Sequence, residues 1–345
     1  MVKAKQWILK KQFSGTPKRT DVEIEEIMLP QLKDGEVLTE CLVISVDPYQ
    51  RLFVTHSKVS VGDVMYAEQV AKVIDSKHPD FPIGTHVTTF AGWTTHSIQT
   101  ADKLTKIPDY PRDIPVSLAL GILGMPGLTA YYGLLEVGKI KEGETVYVNA
   151  AAGAVGTIVG QIAKLKGCKV IGSAGSDKKV KYLKDELGFD EAFNYKTISD
   201  LPNLDKTLKR LIPQGIDVFF DNVGGGAFAV VMDNMNKKGR VALCGAISTY
   251  NDEDRYRLAI PNFTTSCGFQ NVTIEGFTGW GFMELDMDNV ALKEMISWVL
   301  GGKLKYPGHN FKGFENTFTA FLSLFSGDNV GKVLVDVKKC HLSQH

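Results

Sequence analysis

The sequence predicts an α/β protein with two domains, and three observations support this fold class. At 345 residues the chain is longer than one typical hydrophobic core requires. Up to about residue 120, short strand-like segments are separated by turn residues. From about residue 125, strand-like segments alternate with helical ones, which is typical of a parallel sheet with helices on both faces.

The N-terminal part predicts a small all-β barrel or a partly open sheet. Glu36–Ile44 follows the turn Lys33–Gly35 and has alternating, then continuous, apolar positions. Gln69–Ile74 and His86–Phe90 repeat this pattern, with prolines and a glycine between them.

The later part predicts the strands of a parallel sheet and the helices that connect them. The candidate strands are Thr145–Asn149, Lys169–Ser173, Ile216–Asp221, Arg240–Cys244 and Val272–Phe277. Between the first two strands, apolar residues at i, i+3, i+4 and i+7 predict one face of a helix, formed by Val155, Ile158, Val159 and Ile162.

An apolar stripe near the C-terminus predicts a further helix. It consists of Phe314, Phe318, Phe321, Leu322 and Phe325. We interpret the stripe as core packing, and a ligand-binding role is the alternative. Gly331–Val337 then predicts a final strand.

The turn between the first two parallel strands indicates a dinucleotide site. Residues 145–174 form one strand–turn–helix–strand unit with glycines at 153 and 156, and Ala151 stands at the first position of the usual Gly-x-Gly-x-x-Gly motif. Gly153 lets the backbone approach a pyrophosphate, and Gly156 lets the helix pack against the strand. The helix N-terminus offers unpaired N–H groups to phosphate oxygens. We therefore expect a Rossmann domain that binds a nicotinamide dinucleotide.

The tip of the second strand favours NADPH over NADH. Enzymes that select NAD place an acidic residue at this tip, where it binds the ribose 2′-hydroxyl. Here the tip is Ala174, followed by Ser176 and Lys179, which suit a 2′-phosphate. Asp177 leaves two interpretations: reaching the ribose it would favour NAD, whereas as the N-cap of the next helix it is neutral. We favour the cap, and hence NADPH.

Composition excludes several classes of partner. Lys+Arg and Asp+Glu both number 39, so no net charge attracts nucleic acid or an anionic membrane. No segment approaches the ~20 apolar residues of a transmembrane helix, and residues 1–11 lack the apolar core of a secretory signal. The five cysteines are scattered, without a Cys-x-x-Cys pair, which favours reduced thiols in the cytoplasm.

Seven motifs, spread over nearly the whole chain, form a specific combination. They are Asp47–Tyr49, Gly92–His96, Gly124–Tyr131, Val148–Gly156, Asp221–Gly225, Cys244–Tyr250 and Gly327–Lys332. Together they resemble the zinc-independent prostaglandin reductase group, also called leukotriene hydroxydehydrogenases, of the medium-chain dehydrogenase/reductase superfamily. The resemblance implies a GroES-like catalytic domain at 1–124 and 311–345, and a Rossmann NADPH-binding domain at 125–310. It also implies a homodimer that reduces the C=C bond of α,β-unsaturated ketones and aldehydes, such as 15-oxo-prostaglandins and alkenals.

The same resemblance implies a set of cofactor contacts. They are Ala152, Gly153, Ala154, Val155, Gly156, Ser176, Lys179, Tyr195, Asn222, Cys244, Gly245, Ala246, Ile247, Ser248, Thr249, Tyr250, Phe277, Thr278, Gly279 and Asn329. Lys179 would meet the 2′-phosphate, with Tyr195 in support. Two alternatives remain: Lys179 as a solvated helix charge, and Asn222 as a turn former before Gly224–Gly226.

Two tyrosines are the candidate catalytic residues. Hydride addition to the β-carbon leaves negative charge on the carbonyl oxygen, which then needs a hydrogen-bond donor. We expect Tyr250 and the nicotinamide ribose hydroxyl to donate, Tyr49 to line the cleft, and solvent to protonate the α-carbon. By the spacing of the family, a second donor tyrosine would fall at Phe269, which cannot donate.

No metal site is expected, and two rival functions stay open. Many medium-chain dehydrogenases hold zinc through Cys and His ligands of the first domain, but Ile44–Tyr49 has no cysteine and Met65–Gln69 has no histidine. Without zinc, reduction of an already polarised substrate is favoured over alcohol oxidation.

The functions that rival C=C reduction are those of an NADPH quinone oxidoreductase with the same cofactor loop and of a low-turnover NADPH-binding protein.

Overall fold

The chain folds into two compact units. The computed structural model describes residues 1–111, 114–252, 263–286 and 289–337. One unit consists of Met1–Leu120 and Gly308–His345, and the other consists of Gly121–Pro307. No helix in these described ranges is both long and apolar enough to cross a membrane.

The secondary-structure elements are numbered in chain order. The strands are β1 (Lys3–Leu9), β2 (Val22–Met28), β3 (Glu36–Ser45), β4 (Gln69–Ser76), β5 (His86–Thr89), β6 (His96–Thr100), β7 (Thr105–Lys106), β8 (Thr145–Val148), β9 (Lys169–Ala174), β10 (Glu191–Asn194), β11 (Ile216–Asp221), β12 (Met235–Leu243), β13 (Thr273–Gly276), β14 (Gly308–Lys312) and β15 (Lys332–Asp336). The α-helices are α1 (Tyr49–Thr55), α2 (Met125–Tyr132), α3 (Gly156–Leu165), α4 (Asp177–Asp185), α5 (Leu201–Leu211), α6 (Gly226–Asp233), α7 (Thr264–Gln270), α8 (Gly279–Leu285), α9 (Val290–Leu300) and α10 (Thr317–Ser326). Short 3₁₀ helices include Tyr195–Thr197, Ile247–Thr249 and Phe314–Asn316.

The first unit is built on a seven-stranded sheet. Six of its strands follow the order β14-β15-β3-β4-β5-β7, and β6 pairs with β3. The predicted strands at residues 36, 69, 86 and 331 are therefore confirmed. The antiparallel pair of β1 and β2 was not predicted, because its alternate positions carry charges that face solvent, such as the ion pair between Lys3 and Glu26.

The aromatic stripe of the C-terminal helix packs into the core of the first unit. Phe318 and Phe321 are buried in one cluster with Trp7 and Trp93. The Trp7 indole N–H also donates a hydrogen bond to the carbonyl oxygen of Phe314, at 3.1 Å. The interpretation of the stripe as core packing is confirmed, because burying these rings removes a large apolar area from water.

The second unit confirms the predicted α/β fold. Its six parallel strands follow the order β10-β9-β8-β11-β12-β13. Counted from β8, this is the order 3-2-1-4-5-6 of doubly wound dinucleotide-binding sheets, in which the direction of winding reverses between β8 and β11. Ligands of such sheets bind outside the carboxyl ends of the strands at that reversal point.

Candidate dinucleotide site

Nearly all of the predicted cofactor residues follow the carboxyl ends of the parallel strands. They are Ala152–Gly156 after β8, Ser176 and Lys179 after β9, Tyr195 after β10, Asn222 after β11, Cys244–Tyr250 after β12 and Phe277–Gly279 after β13. Because the carboxyl ends of parallel strands meet at one edge of a sheet, the fold brings these segments to a common edge. Asn329 and Tyr49 belong to the first unit. The Asn329 amide nitrogen there donates to the carbonyl oxygen of Gly331, at 3.1 Å.

The glycine-rich turn closes tightly onto the start of α3. A Cβ at Gly156 would lie 2.5 Å from the carbonyl oxygen of Ala150 and 2.7 Å from the Cα of Ala151, so only glycine fits. Ala150 adopts a left-handed φ of 44° to make the turn. The absence of a glycine at position 151 is consistent with this geometry, since the Ala151 side chain is fully buried. The first turn of α3 is thus placed beside the end of β8, where its N–H groups suit a pyrophosphate.

A buried polar network, not predicted from the sequence, joins the ends of β8 and β11. Asn149 Nδ2 donates to Asp221 Oδ1 at 2.5 Å, and Asn149 Oδ1 accepts from the backbone N–H of Asn222 at 2.7 Å. Asp221 Oδ1 also accepts from the N–H groups of Val223 and Gly224, both at 2.9 Å. Burial raises the pKa of the Asp221 carboxyl. The network fixes the turn after β11 at the point where the winding of the sheet reverses.

Asn222 takes part in this network through its side chain. Its Nδ2 donates to the backbone carbonyl oxygen of Asn149 at 3.0 Å. The residue therefore supports the turn before Gly224 and Gly225, both of which have positive φ. The alternative of a turn former thus has a structural basis, and a cofactor contact of Asn222 stays a prediction.

The tip of β9 differs from the prediction in one respect. Ser176, not Asp177, is the N-cap of α4, since the Ser176 Oγ accepts from the backbone N–H of Lys179 at 3.3 Å. The cap assignment to Asp177 was wrong because Ser176 is the last extended residue, and Asp177 already has helical backbone. The Asp177 carboxylate instead accepts from Asn194 Nδ2 at 2.9 Å.

Lys179 lies in a more enclosed position than its neighbour. It is only 8% exposed, which does not fit a solvated helix charge, whereas Lys178 is exposed. Tyr195 stands nearby at the end of β10, and its hydroxyl would lie 3.1 Å from a Cβ at Gly175. Because β9 ends at Ala174 and not at an acidic residue, a lysine and a phenol beside its end suit a 2′-phosphate.

The loop after β12 presents Tyr250. The Tyr250 hydroxyl oxygen accepts from the backbone N–H of Ala246 at 3.3 Å, so its own proton remains available for donation. Burial raises the pKa of Tyr250, which keeps the phenol protonated at neutral pH. Ser248 Oγ donates to the carbonyl oxygen of Val223 at 2.6 Å, which ties this loop to the turn after β11.

The segment after β13 is fixed by packing. The Phe277 ring lies 5.9 Å from the ring of Phe220 and 5.3 Å from that of Phe282. A Cβ at Gly279 would lie 2.4 Å from Thr129 Oγ1, so the close approach of α8 to α2 requires glycine there. Because its aromatic ring and its glycine serve packing, this segment offers chiefly backbone groups to a cofactor.

Tyr49 lies in an aromatic cluster of the first unit. The cluster, defined here as Tyr49, Phe53, Tyr66 and Phe90, has ring centroids 5.0–5.4 Å apart between Phe53 and Tyr66, Tyr49 and Phe53, and Tyr66 and Phe90. Burial, with the nearby carboxylates Asp47 and Glu68, raises the pKa of Tyr49. The hydroxyl therefore stays protonated, and it suits hydrogen-bond donation rather than proton abstraction.

Next to this cluster lies a group of buried charges that the sequence did not indicate. Lys332 Nζ donates to Asp47 Oδ1 at 2.7 Å and to the carbonyl oxygen of Val46 at 2.9 Å. Glu68 is 4% exposed. Burial and the charge of Asp47 raise the pKa of the Glu68 carboxyl to about 8, against the opposing effect of Lys332. Glu68 is thus largely protonated at neutral pH.

Comparisons with known proteins identify the family. A model described as the N-terminal domain of oxidoreductase matches residues 5–107, and one described as zinc-binding dehydrogenase matches residues 154–297. The chain is 49% identical to prostaglandin reductase 1 of Oryctolagus cuniculus over 333 residues, which cover 96% of this chain and 93% of that protein. The chain belongs to the prostaglandin reductase family.

Other relatives of this prostaglandin reductase family member extend the picture. The chain is 41% identical to the NADP-dependent 2-alkenal reductase of Nicotiana tabacum, with 98% of both chains covered. Its fold is similar to that of CurA from Vibrio vulnificus, solved in complex with NADPH, with a TM-score of 0.89 and 34% identity. That alignment covers 97% of this chain and all of the other.

Zinc does not fit the donor set that this prostaglandin reductase family member presents. In the part of the chain that the structure describes, no three His, Cys, Asp or Glu side chains come together to hold a metal ion. Asp47 is engaged by the ammonium group of Lys332, which a metal ion would have to displace. No step of the chemistry below is therefore assigned to a metal.

Phe269, where the spacing of the prostaglandin reductase family predicts a second donor tyrosine, lies on α7. Its side chain is 78% exposed. The neighbouring residue Gly268 has no atom within 4 Å of an added Cβ, so this side of the helix is open. A second donor tyrosine at this position stays a prediction of the family spacing.

Proposed function

We propose that the protein is an NADPH-dependent reductase of the C=C bond in α,β-unsaturated ketones and aldehydes, including 15-oxo-prostaglandins and alkenals. The observation that carries this proposal is the Tyr250 phenol. It is protonated, its oxygen accepts from the Ala246 N–H, and it follows β12 at the edge of the sheet where the dinucleotide loop lies. The NADPH complex of CurA and the names of the reductase relatives support the cofactor and the substrate class.

The residues of the chain fit this chemistry. When bound, NADPH supplies a hydride to the β-carbon of the substrate. Tyr250 then donates a hydrogen bond to the carbonyl oxygen, where negative charge develops. The N–H of Ala246 polarises the phenol, which strengthens its donation. Solvent supplies the proton to the α-carbon, and Tyr49 stays a prediction as a residue that lines the substrate.

The cofactor would be held by three parts of the second unit. The N–H groups at the start of α3 would bind the pyrophosphate. Lys179, with Tyr195, would bind the 2′-phosphate, and the loops 244–250 and 277–279 would offer backbone groups to the nicotinamide half. These assignments are supported by the position of each segment at the carboxyl end of a strand.

A substrate panel with a matched pair of variants tests the proposed reaction. We expect NADPH oxidation to be faster with a 15-oxo-prostaglandin or an alkenal than with a quinone. Tyr250→Phe should lower kcat by roughly 10²–10³ if no other donor substitutes. Tyr306→Phe, at a phenol that is 42% exposed, is the control and should leave kcat unchanged.

Two results would favour the rival functions. Faster turnover of a quinone would indicate an NADPH quinone oxidoreductase. Tight NADPH binding without oxidation on any enone or enal would indicate a low-turnover NADPH-binding protein.

We also propose that the protein is a homodimer that pairs along β13. This strand ends the six-stranded sheet, and its residues Thr273, Glu275 and Gly276 are exposed. An exposed edge strand offers backbone groups to a second copy of itself, and the exposed ring of Phe269 lies on the helix just before it.

Light scattering should give twice 37.9 kDa for the wild type and a smaller mass for Phe269→Glu at the same concentration. A monomeric wild type would contradict the proposal, and Phe269→Tyr, which keeps the ring, is the control.

A cytoplasmic location is the last part of the proposal. Cys41, Cys168, Cys244 and Cys267 are free thiols, as expected of a protein in a reducing compartment. Localisation of a tagged full-length chain to a secretory or organellar compartment would contradict it.

A further inference from the structure

The side chain of Asn194 is held at both ends. Its Nδ2 donates to Asp177 Oδ1 at 2.9 Å, and its Oδ1 accepts from the backbone N–H of Lys196 at 3.1 Å. Thr197 Oγ1 donates to the backbone carbonyl oxygen of Asn194 at 2.9 Å, which fixes the same 3₁₀ turn. The bond from Lys196 orients the Asn194 amide, and the Nδ2 of that amide then holds the Asp177 carboxylate.

The position of this amide relates it to the cofactor. Asn194 is paired in register with Ala174, the tip of β9. Asp177 follows that tip by three residues and is the one acidic residue between positions 174 and 179. A carboxylate that faced the tip would bind a ribose 2′-hydroxyl and repel a 2′-phosphate.

A phenol and a lysine lie close to Gly175, the residue that follows the tip. A Cβ at Gly175 would lie 3.1 Å from the Tyr195 hydroxyl and 3.3 Å from Lys196 Cε, so both side chains cover this glycine. Lys196 therefore adds a cation beside the strand tip. Lys196 thus lies over the glycine that follows the tip, whereas the Asp177 carboxylate is hydrogen-bonded to the Asn194 amide.

We propose that Asn194 is a positioning residue that determines the preference for NADPH over NADH by holding the Asp177 carboxylate away from the ribose 2′-position. The inference rests on the proposed function, in which the 2′-phosphate binds at the tip of β9. The preference for NADPH then depends on the Asn194 amide, which holds the Asp177 carboxylate, as well as on the lysines that bind the 2′-phosphate.

Binding without turnover tests the proposal. The probes are adenosine 2′,5′-bisphosphate, which carries the 2′-phosphate, and 5′-AMP, which does not, titrated by calorimetry at low ionic strength. In Asn194→Ala, the released carboxylate should raise the Kd of the bisphosphate about tenfold and leave the Kd of 5′-AMP unchanged or lower. The Kd of NADPH should likewise rise, and the Kd of NADH should stay unchanged or fall.

A double variant distinguishes positioning from a loss of local structure. Asp177→Asn combined with Asn194→Ala should restore the wild-type preference, because a neutral amide at 177 does not repel the phosphate. A merely structural role of Asn194 would weaken both probes equally in the single and the double variant, and that result would overturn the proposal. An unchanged preference in Asn194→Ala would also overturn it. If the wild type itself binds both probes equally, the proposed NADPH site fails instead, and the two failures are thereby distinguished.

Discussion

Replacing Lys179 by alanine is expected to raise the KM for NADPH about 10- to 100-fold and to leave the KM for NADH nearly unchanged. The reason is that one charge-assisted hydrogen bond to a phosphate contributes roughly 1.5–3 kcal/mol, and NADH has no 2′-phosphate to lose. The backbone N–H of Lys179 that binds the Ser176 cap is retained in the variant, so α4 still begins at the same residue. Steady-state kinetics with both cofactors at a fixed enal concentration measures the effect.

The adjacent lysine provides the control for this experiment. Lys178 carries the same charge on the same turn but is exposed. Because solvent and salt screen an exposed charge, Lys178→Ala should change both KM values by less than about twofold. Equal increases for NADPH and NADH in Lys179→Ala would refute the phosphate role. They would indicate that the enclosed lysine stem supports the packing of α4 instead.

The parts of this fold that sequence predicted are those determined by local patterns. The Ile216–Asp221 strand was predicted to the residue, because its apolar run Val218–Phe220 is buried and is followed by the polar Asp221. Gly156 was predicted to pack closely, and the 2.5 Å approach to Ala150 explains why. The absence of a carboxylate at the tip of β9 is equally local, since it depends on which residue ends one strand.

The features that sequence did not predict depend on contacts between distant segments. Asn149 and Asp221 are 72 residues apart, and they meet because β8 and β11 are neighbours in the sheet but not in the chain. The Asp177–Asn194 contact likewise depends on the register of β9 with β10. Lys332 reaches Asp47 across 285 residues through the pairing of β15 with β3. A periodic pattern of apolar residues contains no information on these registers.

The charges around Glu68 lead to the second large prediction, which concerns stability. Folding raises the pKa of Glu68 from 4.5 to about 8, mainly because burial disfavours the carboxylate and Asp47 adds a like charge. The native state therefore holds a proton that the unfolded chain releases. The stabilisation is fully present below the unfolded pKa, and it is lost as the pH rises through the folded pKa. At about 1.4 kcal/mol for each pKa unit, the loss is on the order of 4 kcal/mol.

Glu68→Gln should remove this pH dependence, since a glutamine is neutral at every pH and has nearly the same shape. Denaturant unfolding of the wild type and the variant at intervals from pH 4.5 to pH 8.5 measures the free energy of unfolding of both. We expect the wild type to lose several kcal/mol relative to the variant as the pH rises, because the ionised carboxylate is buried near Asp47, and the attraction of Lys332 offsets only part of the cost. Glu23→Gln, at a side chain that is 62% exposed in the same unit, is the control and should show no such difference. If the free energy of unfolding has the same pH dependence in the wild type and in Glu68→Gln, the prediction is contradicted. Lys332 would then stabilise the carboxylates of both Asp47 and Glu68, and Glu68 would hold no extra proton in the native state.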